Sequence, residues 1–276
     1  MKSPRIVHLA MFAITVFGGV ETAFADSIYS FTTIDVPGAL STGASGINDS
    51  GQIVGGFWDG LNGHGFLLDT SGSITTIDVP GASSTRASGI NDSGQIVGTF
   101  FDATGIPHGF FLYVDGSFTT IDVPGASSTS ANGINDSGQI VGIFFDATGI
   151  PHGFFLDVDG SFTTIDVPGS SETFAVGINN SGQVVGFFGS VGEHGFLDTG
   201  GSFTSIEVGS LPIDTFAFGI NNSGQIVGSF DSTDAGPTQG FVATPTAVPE
   251  PGQFRSELVV CANGPSPCYE TGPRSR

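Results

Sequence analysis

The sequence predicts an all-β fold, a five-bladed β-propeller made of four-stranded antiparallel blades. Three observations predict it. The phrase GINDSGQIVG starts at Gly46, Gly89 and Gly133, and returns as GINNSGQVVG at Gly177 and GINNSGQIVG at Gly219. These glycines lie 43, 44, 44 and 42 residues apart, a period that suits one propeller blade. Turn residues then cut every period into four short strand-like segments.

One complete unit runs ANGINDSGQIVGIFFDATGIPHGFFLDVDGSFTTIDVPG from Ala131. Its segments ANGI, GQIVGIFF, HGFFLDV and SFTTIDV are separated by NDSG, DATGIP and DG. The first turn, NDSG, offers Asn at its start and Gly where a left-handed residue is needed. The second segment is apolar on both faces, Ile140, Gly142 and Phe144 alternating with Val141, Ile143 and Phe145, so it needs cover above and below. Asp-Gly before the fourth segment is a strong hairpin signal, because Gly accepts the positive φ that tight turns require. Hairpins at every join make each unit an antiparallel meander. A β-helix is the competing architecture, but its coils do not repeat hairpin turns.

Closure follows from an offset. The fourth segment appears five times, from Phe31, Ile74, Phe118, Phe162 and Phe203, while the last repeat stops after its third segment at GFVATP. The leading strand, FTTIDV from Phe31, is therefore expected to complete the last blade and close the ring. An open stack would need polar capping repeats, which neither end supplies.

The chain divides into three parts. Residues 1–25 read as a secretory signal peptide: Lys2 and Arg5 precede an apolar run from Ile6 to Val20, and Ala23-Phe24-Ala25 forms a cleavage site. Residues 26–247 form the propeller, and 248–276 a disordered tail. Removing the leader deletes Lys2, Arg5 and Glu21 and takes the formal charge from −20 to −21. Arg86 is the single Lys or Arg between Asp26 and Ala247, so nucleic acid and anionic lipid surfaces are disfavoured as partners. No membrane insertion of the mature chain is expected. Cys261 and Cys268 lie in the tail, so the repeats hold together by burial rather than by disulfides.

Polar residues recur in register with the fold, which marks structural duty. Asn48, Asn91, Asn135, Asn179 and Asn221 head the first turn, where Asn bonds its own backbone two residues on. His64, His108, His152 and His194 precede the Gly-Phe of the third segment, and Gln239 replaces them in the fifth repeat. That replacement points to a hydrogen-bonding role rather than metal ligation. Asp102 and Asp146 are the best candidates for Ca²⁺, but they lack the spaced carboxylate series of a calcium loop, and no cofactor is expected. Catalysis needs groups that meet once, so the residues breaking the repeat are the ligand candidates: Trp58, Arg86, Tyr113, Glu172 and Glu193. Trp58 is expected to fill core. No catalytic elbow, zinc motif or phosphate loop appears.

GINDSGQIVG followed by His-Gly-Phe, at His64, His108, His152 and His194, resembles the HAF-type probable extracellular repeat family. The likeness covers roughly Ser30 to Thr244 and implies a secreted bacterial protein with a propeller-like fold, without implying an activity. AVPEPG, from Ala247, is similar to the opening of a PEP-CTERM sorting signal, which implies processing at a Gram-negative envelope. The continuation departs from that pattern, with only Leu258-Val259-Val260 apolar. The expected function is therefore a secreted, non-catalytic, monomeric binding or structural module at the cell surface or beyond it. Extracellular polysaccharide or matrix is the expected partner. The alternative is a carbohydrate-active enzyme, a glycoside hydrolase or lyase on the same scaffold.

Overall fold

The computed structural model describes residues 32–189, 192–208, 214–231 and 238–245. The signal segment, Phe31, both cysteines and the tail from residue 246 lie outside them. Contacts separate a leading unit ending at Thr33 from a second unit beginning at Ile34, and every strand belongs to the second.

The chain is all-β and forms a five-bladed propeller. Blade one contains β1 (Ser41–Ile47), β2 (Ile53–Trp58), β3 (Gly63–Leu68) and β4 (Ile74–Ile77). Blade two contains β5 (Ser84–Ile90), β6 (Ile96–Phe101), β7 (Pro107–Leu112) and β8 (Phe118–Ile121). Blade three contains β9 (Ser128–Ile134), β10 (Ile140–Phe145), β11 (Pro151–Leu156) and β12 (Phe162–Ile165). Blade four contains β13 (Thr173–Ile178), β14 (Val184–Phe188), β15 (His194–Thr199) and β16 (Ser202–Ile206). Blade five contains β17 (Thr215–Ile220), β18 (Ile226–Asp231) and β19 (Thr238–Ala243). Within each sheet the strands pair antiparallel in chain order. Among the described residues no helix is long and apolar enough to cross a membrane.

Each first strand carries one irregularity at the same place, for example between Ala87 and Gly89. The residue skipped there is Ser45, Ser88, Asn132, Val176 or Phe218, and its freedom from a ladder partner explains why its identity drifts while its neighbours repeat. Gly142 of β10 shows why glycine recurs in the second strand. A Cβ there would lie 2.0 Å from the Ser130 carbonyl oxygen and 2.7 Å from the Phe154 ring. Phe66, Phe110, Phe154 and Phe196 lie over the equivalent glycines and are fully buried.

The core lies between blades. Val97 of blade two packs with Ala131, Ile134 and Phe154 of blade three, and Val141 packs with Ala175 and Phe196 of blade four. A lone blade has no mate for either face, so stability comes from stacking neighbours. Short linkers fix the step: the Val79 N–H donates to the Thr85 hydroxyl at 3.1 Å, and Val123 and Val167 repeat the bond to Thr129 and Thr173.

The fifth blade differs. Three of its strands are described, and residues 32–36 of the segment expected to complete it form no strand. Val36 instead donates to Thr42 at 3.2 Å, the linker geometry seen before the later blades. The outward faces of the first and last blades are open: Val227 is 48% and Ile47 66% exposed, whereas Val54, Val97, Val141 and Val185 are sealed.

Trp58 does not fill core. It ends β2 opposite Gly63, 43% exposed, as Phe101 and Phe145 are exposed at the same place. The second strand outruns the cover of the neighbouring blade there, so its last apolar residue stays in water.

Candidate functional site

The five asparagines meet around one cavity of about 230 Å³, with the residues on either side of each. Asn135 shows the wiring. Its Oδ1 accepts the Ser137 and Gln139 N–H groups, closing its own turn, at 3.1 and 3.0 Å. Its Nδ2 donates to Gln139 Oε1 at 2.8 Å and to the Asn179 carbonyl of the next blade at 3.2 Å. Asn48, Asn91 and Asn179 make the same inter-blade bond to Asn91, Asn135 and Asn221. This relay uses both ends of the amide, which is why Asn, and neither Asp nor Ser, stands there.

The histidines clamp the other end of blades one to four. His108 Nδ1 lies 2.8 Å from Asp122 Oδ1, its Nε2 3.6 Å from Asp102 Oδ2, and its ring stacks on Phe100 at 5.2 Å. His152 repeats this with Asp166, Asp146 and Phe144, and His64 with Asp78, Asp59 and Phe57. His194 faces Glu207 at 3.4 Å. The Asp78 hydrogen bond raises the His64 pKa despite partial burial, with Asp59 adding to it. Asp102 and Asp146 cap their own turns. The Ile106 N–H and the Thr104 hydroxyl hold Asp102 down at about 2, and Ile150 and Thr148 do the same for Asp146. Among the described residues no group of three or more His, Cys, Asp or Glu is arranged to hold a metal.

Two grooves open between neighbouring blades. One, about 450 Å³, lies between blades two and three; the other, about 460 Å³, lies between blades one and two. They are built largely from equivalent positions, except that Tyr113 of the second stands where Asp157 stands in the first, and Asp92 of the second corresponds to Asp136, which does not line the first. The first has Phe111, Ile121, Leu156 and Phe162 as apolar lining, with Gln95, Thr119, Thr120, Asp122 and Asp157 as its polar groups. The second substitutes Leu67, Ile77, Leu112 and Phe118, with Gln52, Thr75, Thr76, Asp78 and Asp92. Tyr113 lines both. It sits just beyond β7, 43% exposed, edge-on to Phe111 at 4.4 Å, where blades one and three carry Asp69 and Asp157 and blade four carries Thr199.

The remaining repeat-breaking residues fall elsewhere. Arg86 donates to the Ser45 hydroxyl of the preceding blade at 3.3 Å. Glu172 and Glu193 come together with Asp214 and Asp231 at one end of blades four and five. The Glu193 N–H donates to Asp214 Oδ1 at 2.9 Å, and the Asp231 N–H to the Asp214 carbonyl at 3.0 Å. Burial raises the Glu193 pKa, and the charges of Asp214, Glu172 and Asp231 raise it further. In the same two blades, Phe187 stacks on Phe174 at 4.7 Å and meets Phe216 edge-on at 5.1 Å. Asp214 and Asp231 were not singled out in the sequence, although both break the repeat: Asp231 stands where other blades have Trp58, Phe101 and Phe145, and Asp214 where they have Ser41, Ser84 and Ser128.

The fold and these sites define a class: a repeat propeller with ligand-sized grooves between its blades. No protein-family model matches the chain, and no curated protein matches it. Solved structures do. TolB from Acinetobacter baumannii aligns with a TM-score of 0.50 at 13% identity, over 74% of this chain and 54% of TolB, so the chain spans about half of that protein. A virginiamycin B lyase from Staphylococcus aureus aligns at 0.44 and 16% identity, over 72% and 70% of the two chains. The Aleuria aurantia lectin, solved with Fucα1-6GlcNAc, aligns at 0.42 and 15% identity, over 68% and 71%. At these identities the likeness concerns the fold alone.

Proposed function

We propose that this chain is a secreted, non-catalytic member of the HAF-type repeat proteins that binds extracellular polysaccharide through its inter-blade grooves. The observation that carries the reading is the pair of equivalent grooves of about 450 and 460 Å³ sharing Tyr113. Sugar rings present apolar C–H faces and polar hydroxyl edges. An aromatic and aliphatic lining takes the faces, while threonine hydroxyls, glutamine amides and carboxylates take the edges. Grooves on rigid sheets need little reordering on binding, which limits the entropic cost. The test is titration of the purified mature protein with a panel of soluble polysaccharides. Binding that weakens in Tyr113→Ala is expected, and uniform absence of binding overturns the reading.

A second reading, a carbohydrate-active enzyme, is favoured by one observation: Glu193 has a raised pKa beside three further acids. A protonated carboxylic acid next to an ionised one is what glycosidic bond cleavage uses. Screening for glycoside turnover tests it. Activity has to disappear in Glu193→Gln with the fold intact, and turnover unaffected by that change rules Glu193 out.

A further inference from the structure

We propose that the two grooves joined by Tyr113 select a linear glycan carrying free amino groups, and that one chain of it spans both grooves. The inference rests on the polysaccharide reading and names the ligand class. Each groove offers two carboxylates and no cationic side chain: Asp122 and Asp157 in one, Asp78 and Asp92 in the other. Asp122 and Asp78 keep side chains 51% and 52% exposed while each pairs with a histidine through Oδ1. A second oxygen of each is left for an incoming donor. Arg86, the lone Lys or Arg of the repeats, lies in neither groove.

The chemistry that fits is a sugar with an apolar face and an ammonium edge. Ammonium-to-carboxylate bonds are charge-assisted and stronger than hydroxyl bonds. Tyr113 adds attraction between its ring face and a cation. A uronate or sulfated chain meets the opposite condition, since it would bring anions between paired carboxylates on a chain of formal charge −20. Because Tyr113 belongs to both grooves, they form one track over three blades rather than two separate pockets, and an oligomer long enough to cross it gains effective concentration that a monosaccharide lacks.

The experiment titrates the full mature chain with three oligosaccharide series of equal length: glucosamine oligomers, their N-acetylated forms, and oligouronates. Tyr113→Ala, Tyr113→Phe and Asp122→Asn/Asp157→Asn are titrated alongside. Glucosamine oligomers are expected to bind about tenfold more tightly than the acetylated series at low salt. Oligouronates are expected not to bind. Affinity falls in Tyr113→Ala, survives in Tyr113→Phe, and loses its preference for the amine in the double Asp variant. Equal binding of acetylated and free-amine chains overturns the charge selection while leaving polysaccharide binding standing. Absence of binding by all three series overturns both readings. If oligolysine competes as well as glucosamine oligomers and Tyr113→Ala changes nothing, the inference also falls, in favour of unselective attraction to acidic surface.

Discussion

Val185 and Val227 hold the same place in the repeat, and their surroundings differ completely. Val185 is sealed in a cluster with Ala217 and Ile226 of blade five, whereas Val227 stands 48% exposed. Gly133 and Gly219 repeat the contrast. A Cβ at Gly133 would lie 3.1 Å from the Val176 carbonyl and 3.4 Å from Gly177 Cα in the next blade, while one at Gly219 would meet only its own blade's Val227. Identical letters thus form a core in one copy and a surface in the other. In this chain the stabilising unit is the junction, and a blade is half of two junctions.

A buried charge should break that comparison most sharply. Val141→Asp places an unpaired carboxylate inside a junction and is expected to cost roughly 3–5 kcal/mol, against about 0.5 kcal/mol for Val227→Asp. Urea denaturation of the two variants checks this, and equal losses would mean that Val227 is covered in solution. Next in size is Gly133→Ala, whose Cβ has to push the backbone of blade four, at about 1–3 kcal/mol. Gly219→Ala should be close to neutral, and melting temperatures measure the difference.

The asparagine relay gives a smaller contrast. Asn135→Ala removes its own turn bonds and the bond to the Asn179 carbonyl, whereas Asn221 makes turn bonds and a bond to Gln225 but shows none to a further blade. Asn135→Ala is expected to exceed Asn221→Ala by about 1 kcal/mol, one hydrogen bond's worth, in paired denaturation curves.

Smallest is the pH effect at the clamp. The His64 pKa is raised in the folded state, so its contribution to stability is full below the unfolded value of about 6.5 and is lost as pH rises through the folded value. His64→Gln copies what blade five carries at Gln239, and should flatten that part of the stability–pH curve without unfolding the chain. A slope unchanged from the parent would assign the dependence to other groups.

Much of this was legible because it is local. The period, the Asp-Gly and NDSG turns and the second-strand glycines announce antiparallel meanders, and each depends on residues within a few positions of one another. Tyr113 was visible as a break in the repeat, since aspartate or threonine holds its place elsewhere. Its membership of two grooves was not, because it depends on the blades to either side. The Asn relay also escaped. Recurrence of an amide in five copies, with neither Asp nor Ser substituted, was the available signal, but the turn accounted for the residue by itself. Trp58 was misjudged because apolar character says nothing about how far a neighbour's cover extends.

By itself the amino-acid order determined strand length, turn type and the number of blades, because backbone φ preferences and apolar alternation act over short distances. Only tertiary structure decided which of five near-identical faces are buried, which carboxylates share a groove, and where Glu193 finds three like charges. Those outcomes depend on what lies one blade away, some 42 to 44 residues along the chain, and the letters of a repeat do not record what packs against its faces.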